Sequence, residues 1–241
     1  MTDDPVIIAL DVESAAEAQD LVRQLGPDVS FYKVGLELFT AAGPDIVREL
    51  VGGGKRVFLD LKFHDIGETV RRATAQAARL GASFLTVHGQ PQVMQAALEG
   101  RAEHDLRIFA VTVLTSLNDR DLERAGYDCS VRELLNRVVD NALECRVDGV
   151  VASALDAAAV RRHIRSSEAA KPGHELLLIT PGVRSRGAAR GDQKRVATPC
   201  EALRDGADYL VIGRQVTRAA DPHAALIQIR DEIAAGVLHA G

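Results

Sequence analysis

The sequence predicts an α/β protein built as one (β/α)₈ barrel, and three observations carry that prediction. Eight short apolar runs, at 6–12, 31–36, 56–62, 84–89, 107–115, 149–153, 175–180 and 208–213, alternate with longer stretches of helical character. The runs are near-continuous Val, Ile and Leu rather than strictly alternating with polar residues, as strands covered on both faces are. The chain of 241 residues shows no Pro/Ser-rich linker or low-complexity block to divide it. A closed barrel over residues 1–241, as one domain with roughly 30 residues per β/α unit, is the economical arrangement. A doubly wound open sheet is the alternative.

Each element has its own warrant. VIIALDV (6–12) opens the series. Ser14, with Glu17 three residues on, fits a capping box for the first helix, and Gly26 closes it. FYKVGL (31–36) and RVFLDLK (56–62) follow; between them lies Gly52-Gly53-Gly54, which precedes a strand and so sits at the wrong end of a barrel to cradle a substrate. Residues 66–80 form a helix stopped by Gly81. FLTVHG (84–89) and RIFAVTVLT (107–115) are the fourth and fifth strands. Val131 to Cys145 carries Val131, Leu134, Leu135, Val138, Val139 and Ala142 at helical spacing. GVVAS, ELLLIT and DYLVIG supply the last three strands, and Asp221-Pro222 starts the last helix with Pro at its first position.

Composition excludes several function classes. Net charge is −5 and aromatic residues make up 4%, which argues against a nucleic-acid partner. No run approaches the ~18 apolar residues of a membrane span. The acidic Met-Thr-Asp-Asp-Pro start leads directly into a strand, so no signal peptide is expected. Cys129, Cys145 and Cys200 lie far apart without metal or disulfide spacing, and the histidines show no HxxxH pattern. These features fit reduced thiols and a cytoplasmic location, with no metal site.

In a barrel the chemistry sits where strands end. Asp11, Lys33, the segment 60–65 and Arg214 put charges at such places. Asp60 and Lys62, two residues apart, share a strand face by alternation. Lys33 and Asp11 are lone charges in otherwise apolar runs. Burying such charges is costly unless they pair, and a Lys–Asp–Lys–Asp array pairs them. A fixed ammonium can stabilise a developing carbanion and then protonate it. An ion pair plugging the barrel mouth is the bland alternative.

The loop after the seventh strand, from Thr180-Pro181-Gly182-Val183-Arg184 to Gly191-Asp192-Gln193-Lys194-Arg195, is glycine-rich. It holds five Lys or Arg between 184 and 195. With Gly213-Arg214 ending the eighth strand, this is the place where barrels bind phosphate. His88, at a strand end, is a candidate to line the site. His64 is read as a scaffold residue hydrogen-bonding the backbone.

Asp60-x-Lys62-x-x-Asp65-Ile66 resembles the signature of the orotidine 5′-phosphate decarboxylase family. Supporting matches run in order along the chain: Leu10-Asp11, Lys33-Val34-Gly35, Val113 to Ser116, Thr180 to Arg184, Gly191-Asp192-Gln193, and Val211 to Arg214. The resemblance implies cofactor-free, metal-free decarboxylation of orotidine 5′-phosphate to UMP, the last step of de novo UMP synthesis, by a homodimer of barrels. It assigns Lys62 as proton donor, Asp60 to the departing carboxylate, and Lys33 and Asp11 to the ribose. Asp65 is assigned to the partner's site, with Ile66 and Thr69 beside it. Thr115, or its neighbour Ser116, is given the pyrimidine and Pro181 an apolar wall. Arg184, Gln193, Gly213 and Arg214 take the phosphate. Gln215 departs from the pattern, where proline is expected; this should alter loop stiffness and not the anion contacts. The first motif is shared with related sugar-phosphate enzymes. A magnesium-dependent lyase or aldolase, for which Glu13 and Glu37 could supply ligands, and a non-catalytic phosphate-binding barrel therefore remain as alternatives.

Overall fold

The computed structural model describes residues 4–185 and 197–238. Eight parallel strands close into a barrel in the order β1 to β8: β1 (Val6–Ala9), β2 (Phe31–Gly35), β3 (Arg56–Phe63), β4 (Phe84–His88), β5 (Arg107–Val111), β6 (Gly149–Val151), β7 (Leu177–Pro181) and β8 (Tyr209–Ile212). Closure comes from β1 pairing with β8, Ile7 opposite Val211. The expected barrel is therefore the observed one, and the open sheet is not. All eight strands fall where the apolar runs are.

Helices cover the outer face. They are α1 (Ala15–Leu25), α2 (Leu36–Ala42), α3 (Asp45–Gly52), α4 (Gly67–Arg79), α5 (Pro91–Arg101), α6 (Asp119–Arg124), α7 (Val131–Cys145), α8 (Ala157–Ser166), α9 (Pro199–Arg204), α10 (Arg214–Thr217) and α11 (Pro222–Leu238). Ser14 caps α1 through the Glu17 N–H, at 3.2 Å. The Glu17 carboxylate, however, accepts from the Glu13 N–H rather than from Ser14, so the expected box is only half formed. Ser130 and Glu133 make a complete box at the start of α7. Gly26 (φ 61°) and Gly81 (φ 80°) adopt the left-handed backbone that ends α1 and follows α4.

Alternation divides the core into two layers. Ile8, Tyr32, Val34, Val57, Leu59, Leu85, Ile108 and Leu210 face outward under the helices. Ile7, Ala9, Phe31, Phe58, Phe84, Phe109, Ile179, Tyr209 and Val211 fill the interior. Phe84 meets Phe31 edge-to-face at 4.9 Å and Tyr209 at 5.3 Å, contacts worth about 0.5–1.5 kcal/mol each beyond their burial. The Arg56 guanidinium lies 4.1 Å from the Phe31 ring centre and closes the N-terminal end. Gly149 leaves room for this packing, because a Cβ there would sit 2.4 Å from the Phe109 ring. The aromatic plug closes one end, so an occupant can enter only from the other.

Several strands stop sooner than their apolar runs. β1 ends at Ala9 and β5 at Val111, although the sequence reads 6–12 and 107–115 as extended. At the C-terminal mouth the chain leaves the ladder: the Thr112 hydroxyl joins its own backbone N–H on the Val151 carbonyl, at 2.8 and 3.1 Å. Asp11, Val113 and Thr115 thus belong to the mouth loops. Among the described residues, no helix is long and apolar enough to cross a membrane. The three cysteines are free thiols.

Candidate active site

The mouth holds a cavity of about 210 Å³ lined by Lys33, Phe58, Asp60, Lys62, Val111, Val113, Leu114, Thr115, Val151, Ala152, Pro181 and Val211. Its floor is the aromatic plug; its walls are mostly apolar, and its charged groups all come from β2 and β3. With Asp11, from the loop after β1, those groups form one continuous chain. Lys33 Nζ donates to Asp11 Oδ1 at 2.7 Å and lies 3.7 Å from Asp60 Oδ2. Lys62 Nζ donates to Asp60 Oδ1 at 2.8 Å. Lys33 is only 8% exposed, so this lysine depends on the two carboxylates beside it. Asp11, Lys33, Asp60 and Lys62 are therefore linked in a single chain, whereas Asp65, expected to complete a Lys33–Asp60–Lys62–Asp65 set, is not part of it.

Lys62 reaches this position by an irregular path. Leu59 pairs with Leu85 and Phe63 with Val87, so β3 carries two more residues than β4 between those pairs. Within this bulge Lys62 has φ 49°, a left-handed conformation that a non-glycine residue rarely adopts. The Thr86 hydroxyl supports it, accepting the Lys62 N–H at 2.9 Å and donating to Asp60 Oδ1 at 2.9 Å. A strained backbone held by specific bonds is a mark of functional sites. Burial pushes the Asp60 carboxyl up. The ammoniums of Lys33 and Lys62 and hydrogen bonds from Lys62 and Thr86 outweigh that and hold it below the ordinary carboxylate range.

Thr86 is a site residue that the sequence reading passed over. Its signal was available: Thr86 and His88 are the polar positions of one face of the FLTVH strand. Gly35 is another. A Cβ there would lie 3.0 Å from Lys33 Nζ and 3.2 Å from Asp11 Oδ1, so glycine leaves space for that ion pair.

On the other side of the mouth, Arg184 is 8% exposed and donates from Nη1 to the Val183 carbonyl at 2.9 Å. Gly213 adjoins the charge array, since a Cβ there would be 3.9 Å from Asp11 Oδ2. Arg214 begins α10 directly after it. Arg184, Gly213 and Arg214 thus lie at the same end of the barrel as the charged array. Thr115 lines the cavity, whereas Ser116 is not among the lining residues. Pro181 lines it too. Gln193, Gly191 and Asp192 lie outside the described residues.

Asp65, Ile66 and Thr69 do not join this cavity. Asp65 is exposed and accepts the Ile66 N–H at 2.7 Å, Thr69 is exposed on α4, and Ile66 is 73% exposed. His64 is stacked on His88 with ring centres 4.6 Å apart. This ring contact, rather than a bond to backbone, is what holds it among the described residues. Burial, then His64 and Lys62, pull the His88 pKa below its ordinary 6.5. The unfolded chain therefore binds a proton near pH 6.5 that the folded protein takes up only at lower pH. Folding stability should fall as pH drops through 6.5, and His88→Gln should lose less of it. Melting temperatures of both proteins between pH 7.5 and 5.5 check this; parallel curves would refute it. Among the described residues, no three His, Cys, Asp or Glu side chains gather as metal ligands do, and Glu13 and Glu37 are exposed.

Comparison with known proteins agrees with this geometry. Residues 4–229 match the family model described as orotidine 5′-phosphate decarboxylase / HUMPS family. The chain is 51% identical over 229 residues to an orotidine 5′-phosphate decarboxylase of Nitrobacter winogradskyi, covering 95% of this chain and 92% of that protein. It is 47% identical over 235 residues to that of Caulobacter vibrioides, covering 97% and 99%. The crystal structure of orotidine 5′-phosphate decarboxylase from Lactobacillus acidophilus superposes with a TM-score of 0.80 at 34% identity, covering 96% of this chain and 99% of the other. Sequence, barrel topology and the charged mouth converge: the chain belongs to the orotidine 5′-phosphate decarboxylase / HUMPS family.

Proposed function

We propose that this protein is an enzyme that converts orotidine 5′-phosphate to UMP and CO₂, the closing step of de novo pyrimidine synthesis, without metal or organic cofactor. The observation that carries the proposal is the unbroken Asp11–Lys33–Asp60–Lys62 ion chain along one wall of a mostly apolar cavity. In the reaction the bond from C6 of the pyrimidine to its carboxylate breaks, CO₂ leaves, and the electron pair stays on C6. Lys62 Nζ stabilises that carbanion and gives it a proton; solvent then restores the ammonium. Asp60 orients Lys62 and faces the departing carboxylate. Lys33 and Asp11 hold the ribose hydroxyls, Thr115 the pyrimidine, and Pro181 walls its face. Arg184, Gln193, Gly213 and Arg214 hold the phosphate.

Asp65, with Ile66 and Thr69, serves the partner's site in a homodimer. Their exposure supports this, as does the apolar mouth rim: Leu36, Ile66, Leu114, Leu117 and Leu155 are all large and exposed. The whole chain, residues 1–241, acts as one barrel domain in the cytoplasm, with no nucleic-acid or membrane partner. Mixing the protein with orotidine 5′-phosphate in EDTA and following pyrimidine absorbance tests the reading. Turnover is expected; turnover that appears only with added magnesium would favour the lyase or aldolase alternative, and binding without turnover the non-catalytic one.

A smaller change tests the array. Gly35→Ala places a methyl against Lys33 Nζ and Asp11 Oδ1. The ends of Lys33 and Asp11 must give way by a few tenths of an ångström, so kcat/KM should fall by about 3–10-fold, less than the ~10²-fold of a ~1 Å misplacement. Wild-type kinetics in a folded variant would count against the assigned role of the Lys33–Asp11 pair.

A further inference from the structure

Gln215 makes a contact that a proline at its position could not. Its Oε1 accepts the Ser185 backbone N–H at 3.1 Å. Ser185 directly follows Arg184, and Gln215 directly follows Arg214. The Arg184 N–H is itself bonded to the Ala197 carbonyl at 3.0 Å. Arg184, buried, is thus held through its own peptide N–H and through the next one, and the second anchor is the neighbour of Arg214. We propose that Gln215 is a positioning residue that joins the chain just beyond β7 to the first turn of α10, and so fixes Arg184 relative to Arg214 for a phosphate monoester. This deepens the function proposed above and rests on it.

The local geometry makes the tether separable from the fold. Gln215 is the second residue of α10, where the helix uses Gly213 O for the Val216 and Thr217 N–H groups. Proline is tolerated within the first turn of a helix but restricts the residue before it, here Arg214, so Gln215→Pro removes the acceptor together with some freedom of Arg214. Gln215→Met keeps the side-chain length and removes only the acceptor. Both lose one hydrogen bond whose benefit is spent on the arginine pair.

Inhibition constants for UMP and for uridine against orotidine 5′-phosphate turnover test the idea. In Gln215→Met and Gln215→Pro, UMP should bind ~3–10-fold more weakly, the order of one net hydrogen bond, and KM should rise with it. Uridine, which lacks the phosphate, should bind as to wild type. Equal losses for UMP and uridine would mean general damage and overturn the tether, as would unchanged UMP binding in either folded variant. A wild-type protein that fails to turn over orotidine 5′-phosphate would instead overturn the underlying function.

Discussion

Lys62→Ala should reduce turnover of orotidine 5′-phosphate by about 10⁴-fold or more while leaving the protein folded. Two separate contributions vanish together. In the proposed reaction the ammonium that faces the developing carbanion is lost, a contribution of about 10²–10³-fold, and so is the proton that quenches it, worth about 10²–10⁴-fold. The barrel should survive, because Lys62 is partly exposed and lies at the mouth, away from the aromatic plug. Removing it also frees Asp60 from one of its two lysines. Its carboxyl should then titrate higher than in wild type, since an ammonium 2.8 Å away no longer favours the charged form. Single-turnover absorbance measurements, with circular dichroism as a folding check, decide the matter. A folded variant retaining a tenth of wild-type activity would remove Lys62 from the proposed chemistry.

The second large effect is expected at the proposed phosphate side. Arg214→Ala should lower kcat/KM by about 10²–10³-fold, and part of that loss should fall on kcat. An arginine holding a phosphate makes charge-assisted, often paired hydrogen bonds, which are roughly twice as strong as neutral ones. The phosphate takes no part in bond breaking, so a loss in kcat would show that its binding energy is used to align the pyrimidine over Lys62. Steady-state kinetics over a wide substrate range separate the two parameters. A change confined to KM would mean that the phosphate only anchors the substrate.

Much of this molecule is legible in its sequence for an identifiable reason. The eight strands are buried on both faces, so Val, Ile, Leu and Phe crowd into runs bounded by turns and charges. The charges that interrupt those runs mark the mouth. Short helices were harder: α2 and α10 have seven and four residues, too few for an apolar stripe to repeat. At Asp60 and Lys62 the alternation argument chose the right face through an incomplete reason. The bulge between Leu59 and Phe63 breaks the two-residue period, and Lys62 returns to the cavity because its backbone is left-handed and bonded to Thr86. Nothing in Asp-x-Lys spacing announces an irregular strand. Gln215 presented the opposite difficulty: as a departure from proline it suggested altered stiffness, whereas the side chain forms a specific bond across thirty residues of chain.

The kink at Lys62 bears on how such a centre could be transplanted. Copying the aspartate and lysine onto a regular stave of another barrel would keep the letters and lose the aim of the ammonium, since the aim is set by main-chain curvature. A successful graft would have to carry the two surplus residues and the threonine of the adjoining stave as one unit. For a designer, the transferable module is therefore a distorted piece of sheet.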